Sequence, residues 1–346
     1  MNPPIEQGFQ MPAEWARHEG TWLAWPYDDT TFPERVENVQ KIFSHMVAAL
    51  STSEKIFLIV LDEAMKKMAE HMLQSSGAQM DAVYFYKVPF ADVWTRDYGP
   101  LTITNKEDNK RAWTKWVYNA YGKSHDPYYA PLLADNEVFN IIALEGQKFE
   151  PGIVLEGGAI EVNGEGVCLT CEQTLLNPNR NPILFREDMK KYLHDFLGVK
   201  KTIWLKEGLV NDHTDGHIEE LARFVSPDTI VCAYEDDPSD ENYEILQKNY
   251  EVIKQATDLN GNPFRIITLP MPHVNYDDGT KAPVSYCNFY IANTVVLAAL
   301  FQDPNDQEAL SILQSCFPDK KVIGLDCSDI IYGGGAIHCM TQQVPE

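Results

Sequence analysis

The chain has 346 residues, 44% of them hydrophobic and 11% aromatic, and a formal net charge of -23. That composition supports a large core. The acidity excludes nucleic acid as the main partner, because phosphate binding needs a basic face, and it suits a small cationic ligand. Seven cysteines without disulfide-like spacing predict a reducing compartment. An N-terminus without a charged-then-apolar leader, and no apolar run of membrane-spanning length, predict a cytoplasmic protein off the membrane.

Residues 1–15 form a Pro-rich lead without periodicity, expected as an arm on the surface. Residues 20–26 (GTWLAWP) predict a buried strand. Residues 32–50 predict a helix, with Phe32, Val36, Val39, Phe43, Val47 and Leu50 near i+3 and i+4 spacing. A strand over 55–61, a helix over 62–73 and a strand over 82–88 follow.

The same order then recurs. Strands at 167–170 and 203–205 bracket a helix at 186–197. Strands at 229–233 and 264–269 bracket 241–256, and strands at 295–300 and 321–325 bracket 307–316. The late strands repeat at roughly 60 residues, a spacing typical of modular arrays. Gly157-Gly158-Ala159-Ile160 also matches Gly334-Gly335-Ala336-Ile337. Five modules of this size fill residues 1–346 as one α/β domain, with no linker dividing them. A two-domain α/β protein with chance spacing is the alternative.

Polar clusters fall at strand ends. Residues 92–100 (DVWTRDYGP) place Asp97 near Trp94 before a strand at 101–104; carboxylate and indole both suit a planar cation. Arg96 pairing with an acid to close a turn is the plainer reading. Glu156 stands before Gly157-Gly158, where it either faces a cleft or is a solvated turn carboxylate. Residues 211–220 (NDHTDGHIEE) hold two histidines and several acids. His217 and Glu219 are i and i+2, so on a strand they share a face. Histidine titrates near neutrality and is the usual proton shuttle. His213 and His217 also have the i, i+4 spacing of a helical metal pair, but Thr214-Asp215-Gly216 between them is turn-like.

Near the C-terminus, Gly333-Gly334-Gly335 precedes His338 and Cys339. Three glycines allow close backbone approach. Cys339 is either a nucleophile or a buried, inert core residue. On an extended segment His338 and Cys339 point to opposite faces, so the base for Cys339 comes from elsewhere. Cys168 and Cys171 form a CxxC whose sulfurs face opposite ways on a strand, with no second pair at zinc spacing. Residues 177–182 and 285–293 read as scaffolding.

Together MPAEW, GTWLAWP, DVWTRDYGP, VLEGGAIEVNGEG, LLNPNRNP, DHTDGHIEELARFV, YCNFYIAN and GGGAIHCMTQQ resemble the agmatine deiminase family and its peptidylarginine-deiminase-like relatives, in the same order from about residue 11 to the end. The resemblance implies the guanidino-group-modifying fold, a five-bladed pseudo-symmetric α/β propeller. It implies Cys339 as nucleophile, His217 as general acid/base, and Asp97 and Glu219 as the guanidinium carboxylates. Trp94, Glu156, Asp215 and His213 would contact substrate. Three departures stand out: Glu219 is longer than the family's usual Asp, His213 occupies a usually acidic position, and Ala336 replaces Asn. Residues 271–284 are also shorter than in many members.

The implied reaction converts agmatine to N-carbamoylputrescine and ammonia through an amidino-cysteine, with no metal or cofactor. The expected partner is a small cationic guanidino substrate, not nucleic acid or membrane, and a homo-oligomer is compatible. Arginine residues in peptides, amidino transfer, a metal-dependent hydrolase built on His213 and His217, and a non-catalytic propeller scaffold are the competing readings. Because no arginine is assigned to the channel, agmatine is expected to outrank free arginine. Protonation of His213 is expected to weaken agmatine turnover below neutrality.

Overall fold

Strands rich in β-branched and aromatic residues pair into five separate sheets in the computed structural model, which describes residues 2–108 and 110–346. Three of the sheets have three strands each. They are Ile160–Val162, Val167–Cys171 and Lys201–Leu205; Ala222–Ser226, Thr229–Tyr234 and Arg265–Pro270; and Tyr290–Ile291, Val295–Leu300 and Lys321–Asp326. The fourth combines Leu101–Asn105, Arg111–Thr114 and Gln147–Phe149, with Phe9–Gln10 added at its edge. The fifth joins Gln342–Pro345 to His18–Ala24, Lys55–Val60 and Val83–Lys87.

Every sheet follows one plan. Its first strand runs antiparallel to the second, and the second runs parallel to the third. A parallel pair needs a crossover. Helices Val36–Leu50, Arg186–Leu197, Tyr243–Gln255 and Asp306–Cys316 supply four of them. The repeating strand–helix–strand order expected from the sequence is therefore present. The crossover to Gln147–Phe149 is different: it is a long aromatic stretch holding only the 3-10 turns Ala130–Glu137 and the short helix Val138–Ile141.

The helices form for local reasons and are held by packing. Val36–Leu50 buries Val39, Phe43, Met46, Val47 and Leu50 at i+3 and i+4 spacing, each burial contributing about 1.5–3 kcal/mol. It starts later than the expected residue 32, after a turn through Pro33 and Glu34, whose φ is 59°. Phe43 meets Trp25 edge to face at 5.5 Å, so Phe43→Ala would cost about 3–5 kcal/mol. Helix Glu63–Ser75 is capped by Asp62, whose carboxylate accepts the Met65 N–H at 2.8 Å. Arg186–Leu197 ends at Gly198 with φ 74°.

Two details position the site. The last strand, Gln342–Pro345, pairs with the early strand His18–Ala24, which draws Cys339 toward the N-terminal elements. The lead is not a surface arm: Phe9–Gln10 pairs with Leu101–Asn105, and Met11, Ala13 and Glu14 are buried. The Glu14 carboxylate is needed inside, where two arginines face it. Among the described residues no helix is long and apolar enough to cross a membrane.

Candidate active site

A short turn leads into the first strand of each sheet, and the five turns meet. They carry Asp97, Glu156 to Gly158, His217 to Glu219, Asn288 and Cys339. Direct hydrogen bonds join them. The Arg96 N–H donates to the Cys339 carbonyl at 3.2 Å, and the Thr95 hydroxyl donates to the Met340 carbonyl at 2.9 Å. The Gly158 N–H donates to Asp97 Oδ1 at 3.1 Å. Asp97 sits on a one-turn helix, Thr95–Tyr98, and Glu219 on the 3-10 turn Ile218–Glu220, not on strands. His217 and Glu219 still face each other.

Cys339 Sγ donates to Glu219 Oε1 at 2.8 Å and accepts from Asn288 Nδ2 at 3.1 Å. The Asn288 amide is fixed in orientation because its Oδ1 accepts the His338 N–H at 2.7 Å. Burial, then Glu219, Glu220 and Asp97, push the Cys339 thiol well above its ordinary range, so the resting residue is a thiol.

His217 Nδ1 lies 3.5 Å from Glu219 Oε1 and 3.7 Å from Asp97 Oδ1. Burial works against its imidazolium, but Asp97, Glu219 and Glu156 outweigh it and raise it to about 9. Neither ring nitrogen has a hydrogen-bond partner, although the ring is buried. A buried donor left open calls for an explanation, and an incoming ligand supplies one. Burial raises Asp97 to about 6, with His217 opposing the rise and Glu219 and Glu156 adding to it. For Glu219, burial opposes its charge, yet His338 and His217 hold it well below the carboxylate range. A methyl at Gly158 would stand 2.5 Å from His217 Nδ1 and 2.6 Å from Glu219 Oε1. Glycine is required there, because any side chain would fill the space between the acids and the imidazole.

A second ionic layer lies beneath. His338 faces Glu219 through Nδ1 and Glu14 through Nε2, the latter at 2.7 Å. Glu14 also meets Arg223 at 2.9 Å and Arg96 at 3.4 Å. Residues 337–340 form a turn and not the expected extended segment, and His338 and Cys339 both reach the Glu219 carboxylate, His338 at Oε2 and Cys339 at Oε1.

A cavity of about 480 Å3 reaches this centre through Tyr121, whose hydroxyl donates to Asp97; Cys339, His217, Asp97 and Glu219 are not themselves among its lining residues. Trp94, Tyr121, His213, Gly334, Tyr129, Tyr276, Tyr332, Asp277 and Asp278 are among its walls. Gly334 has φ 89°, and a side chain there would run into the His213 ring. Burial takes His213 down to about 4, which corrects the expectation that it charges just below neutrality.

Six of the expected residues therefore meet: Cys339, His217, Asp97 and Glu219 in the centre, Trp94 and His213 at the cavity. Glu156 and Asp215 both hold Arg180, and Glu156 Oε2 stays buried without a hydrogen-bond partner. Arg180 Nε donates to Glu156 Oε1 at 2.9 Å, and Nη1 contacts Asp215 Oδ2. Arg96 likewise serves Glu14 and Gln343. His213 and His217 do not combine as a metal pair. His213 packs against Tyr121 and Tyr129, whereas His217 offers a nitrogen within 4.8 Å of ligand atoms of Asp97 and Glu219. Sequence reasoning missed Asn288, read as scaffold, and Tyr121. The position of Asn288 just before a first strand, as for Cys339 before Gln342–Pro345, was the available signal. Cys168 and Cys171 lie buried on one strand, each pushed up to about 12 by burial.

A cysteine between a carboxylate and an amide, beside a histidine and a second carboxylate, defines a cysteine-centred site at the meeting point of α/β modules. The chain belongs to the Porphyromonas-type peptidyl-arginine deiminase family, whose model matches residues 10–345. A Legionella pneumophila protein with a provisional agmatine deiminase name is 35% identical over 99% of this chain and 97% of its own length. The solved agmatine deiminase of Enterococcus faecalis is 30% identical, with a TM-score of 0.91 over 100% of this chain and 98% of that one. A cysteine-to-serine variant of C. jejuni agmatine deiminase with substrate bound is 28% identical, with a TM-score of 0.85 over 98% and 96%.

Proposed function

We propose that this chain hydrolyses agmatine to N-carbamoylputrescine and ammonia through a covalent amidino-cysteine. The observation that carries the reading is the contact of Cys339 Sγ with Glu219 and Asn288, beside a buried His217 that faces Glu219 and Asp97 with its ring nitrogens free of hydrogen bonds. Asp97 and Glu219 hold the guanidinium so that its central carbon faces Cys339. The cation offsets two of the charges that keep Cys339 protonated, Glu219 and Asp97. The thiol proton then leaves along the bond to Glu219, and sulfur adds to the guanidinium carbon. His217, already an imidazolium, protonates the departing nitrogen. Neutral His217 next takes a proton from water, whose oxygen adds to the amidino carbon. The C–S bond breaks, and Cys339 regains its proton.

In this reading the five sheets are the blades of one propeller domain spanning the chain, with the site at one end of its axis. No cofactor takes part, the setting is cytoplasmic, and the product enters putrescine formation. Deimination of arginine residues in peptides is the second reading, favoured by the outward-opening cavity. The test is a comparison of ammonia and ureido product release from agmatine, free arginine and an arginyl peptide. Ureido product from none of them overturns the proposal.

A further inference from the structure

The turn 119–123 holds an unusual backbone. Ala120, Tyr121 and Gly122 are consecutive left-handed residues, with φ of 55°, 58° and 72°. Left-handed geometry costs a non-glycine residue about 1–2 kcal/mol, and such strain persists only where the surroundings fix it. Here they do. Asn119 Oδ1 accepts the Gly122 N–H at 2.8 Å, and Asn119 Nδ2 donates to the Asn179 carbonyl at 3.0 Å. Lys123 Nζ donates to the His213 carbonyl.

The strained turn directs Tyr121 to the floor of the cavity. Its hydroxyl donates to Asp97 Oδ2 at 2.9 Å, and its ring meets the His213 ring at 5.1 Å and the His217 ring at 6.0 Å. Asp97 has one other hydrogen-bond donor among the described residues, the Gly158 N–H on Oδ1.

Resting on the deiminase reading above, we propose that Tyr121 is a positioning residue that fixes the Asp97 carboxylate, ionised and correctly turned, for the guanidinium. With Oδ2 anchored by the phenol and Oδ1 by a backbone amide, the carboxylate plane cannot rotate. Its remaining lone pairs then face the space beside His217 and Cys339. The charged and titratable groups facing Asp97 are His217 and Glu219 from the turn before Ala222–Ser226, Glu156 from the turn before Ile160–Val162, Cys339 from the C-terminal turn, and Tyr118 and Tyr121 from the stretch after Arg111–Thr114. Three of these are acids or buried neutral groups that disfavour its charge, so the phenol donor is needed.

Tyr121→Phe keeps the ring and removes only this donor. The expected result is a KM for agmatine about tenfold higher, with kcat on the neutral plateau within about threefold. The acidic limb of kcat/KM moves up by about one pH unit. The phenol stabilises Asp97 only when ionised, so the Tm gap between wild type and variant should widen from pH 5 to pH 8. This melting comparison needs no turnover. It therefore decides the Tyr121–Asp97 coupling even if the wild type releases no ureido product and the deiminase reading falls. A superimposable pH profile with unchanged KM overturns the proposal. So does a Tm loss that is the same at every pH, which would mark Tyr121 as packing alone.

Discussion

Arg180 Nε donates to Glu156 Oε1 at 2.9 Å, and both side chains are sealed from solvent. The Arg180 guanidinium is spent on the protein's own carboxylates, with the Thr214 carbonyl accepting a further bond at 2.8 Å. Removing one partner of a buried ion pair leaves a bare charge and costs about 3–5 kcal/mol. Arg180→Met should therefore destabilise by that amount in urea unfolding. Asp215→Asn, at the more exposed end of the pair, should leave the KM for agmatine within about threefold. A larger rise would return Asp215 to substrate recognition.

Cys339→Ser should abolish turnover while keeping the wild-type melting curve. Wild-type protein trapped with substrate should carry the added mass on the peptide containing Cys339. Cys168→Ala and Cys171→Ala should keep at least half the activity, since both sulfurs are buried on a strand of the sheet core. Because the resting thiol lies well above its usual range, alkylation of Cys339 without substrate should be slow at pH 7 and rise through pH 9. A fast, pH-independent rate at pH 7 would contradict a resting thiol.

Asn288 is the other group on the sulfur. Asn288→Ala removes a donor to the thiolate, and one lost donor to developing charge costs about 2.7–4 kcal/mol, or 10²–10³ in kcat. The KM should change little, because Asn288 touches Cys339 and not the two guanidinium acids. A rise in KM with kcat intact would assign it to binding.

The pH profile follows from two groups. Asp97 must be ionised to hold a cation, so activity falls as pH drops through about 6. His217 must be protonated to act as an acid, so activity falls as pH rises through about 9. kcat/KM for agmatine should be bell-shaped between these limits. His213 charges only near pH 4, so His213→Asn should leave the acidic limb in place. A limb that moved with that substitution would show His213 titrating near neutrality.

The repeating strands and helices were legible because each carries its own period. Arg186–Leu197 and Asp306–Cys316 each fall within a residue of the expected bounds. Cys339, His217, Asp97 and Glu219 were legible because each sits in a short polar turn between apolar strands. The pairing of Glu156 and Asp215 with Arg180 was not legible, because Arg180 lies in a loop whose sequence gives no sign of where it folds back. Asn288 was hidden in an apolar run, where it reads as strand filler. Tyr121 was hidden because residues 115–146 have no periodicity, and a left-handed turn leaves no mark on Ala120 or Tyr121.

Substrate choice depends on what meets the far end of the guanidine. The cavity walls give that end tyrosine faces and exposed Asp277 and Asp278. Tyrosine faces attract an ammonium by about 0.5–2 kcal/mol. His213 is neutral near pH 7, so it neither repels the amine of agmatine nor pairs with the α-carboxylate of arginine. Arg96 and Arg180 beside the site are already paired, and Arg35 at the cavity wall pairs with Asp277 and Asp329 and lies over the Tyr332 ring. Lys123 is the cation beside His213, but its ammonium donates to the His213 carbonyl and lies over the Tyr129 ring. A carboxylate desolvated without a partner costs several kcal/mol. Agmatine should therefore exceed free arginine in kcat/KM by at least about 100-fold, which is under 3 kcal/mol. Asp278→Asn should narrow that ratio, since this carboxylate favours the amine and disfavours the acid, whereas Asp277 is already paired with Arg35. If free arginine or an arginyl peptide gives the higher kcat/KM under the same conditions, the agmatine assignment fails while the deiminase chemistry stands.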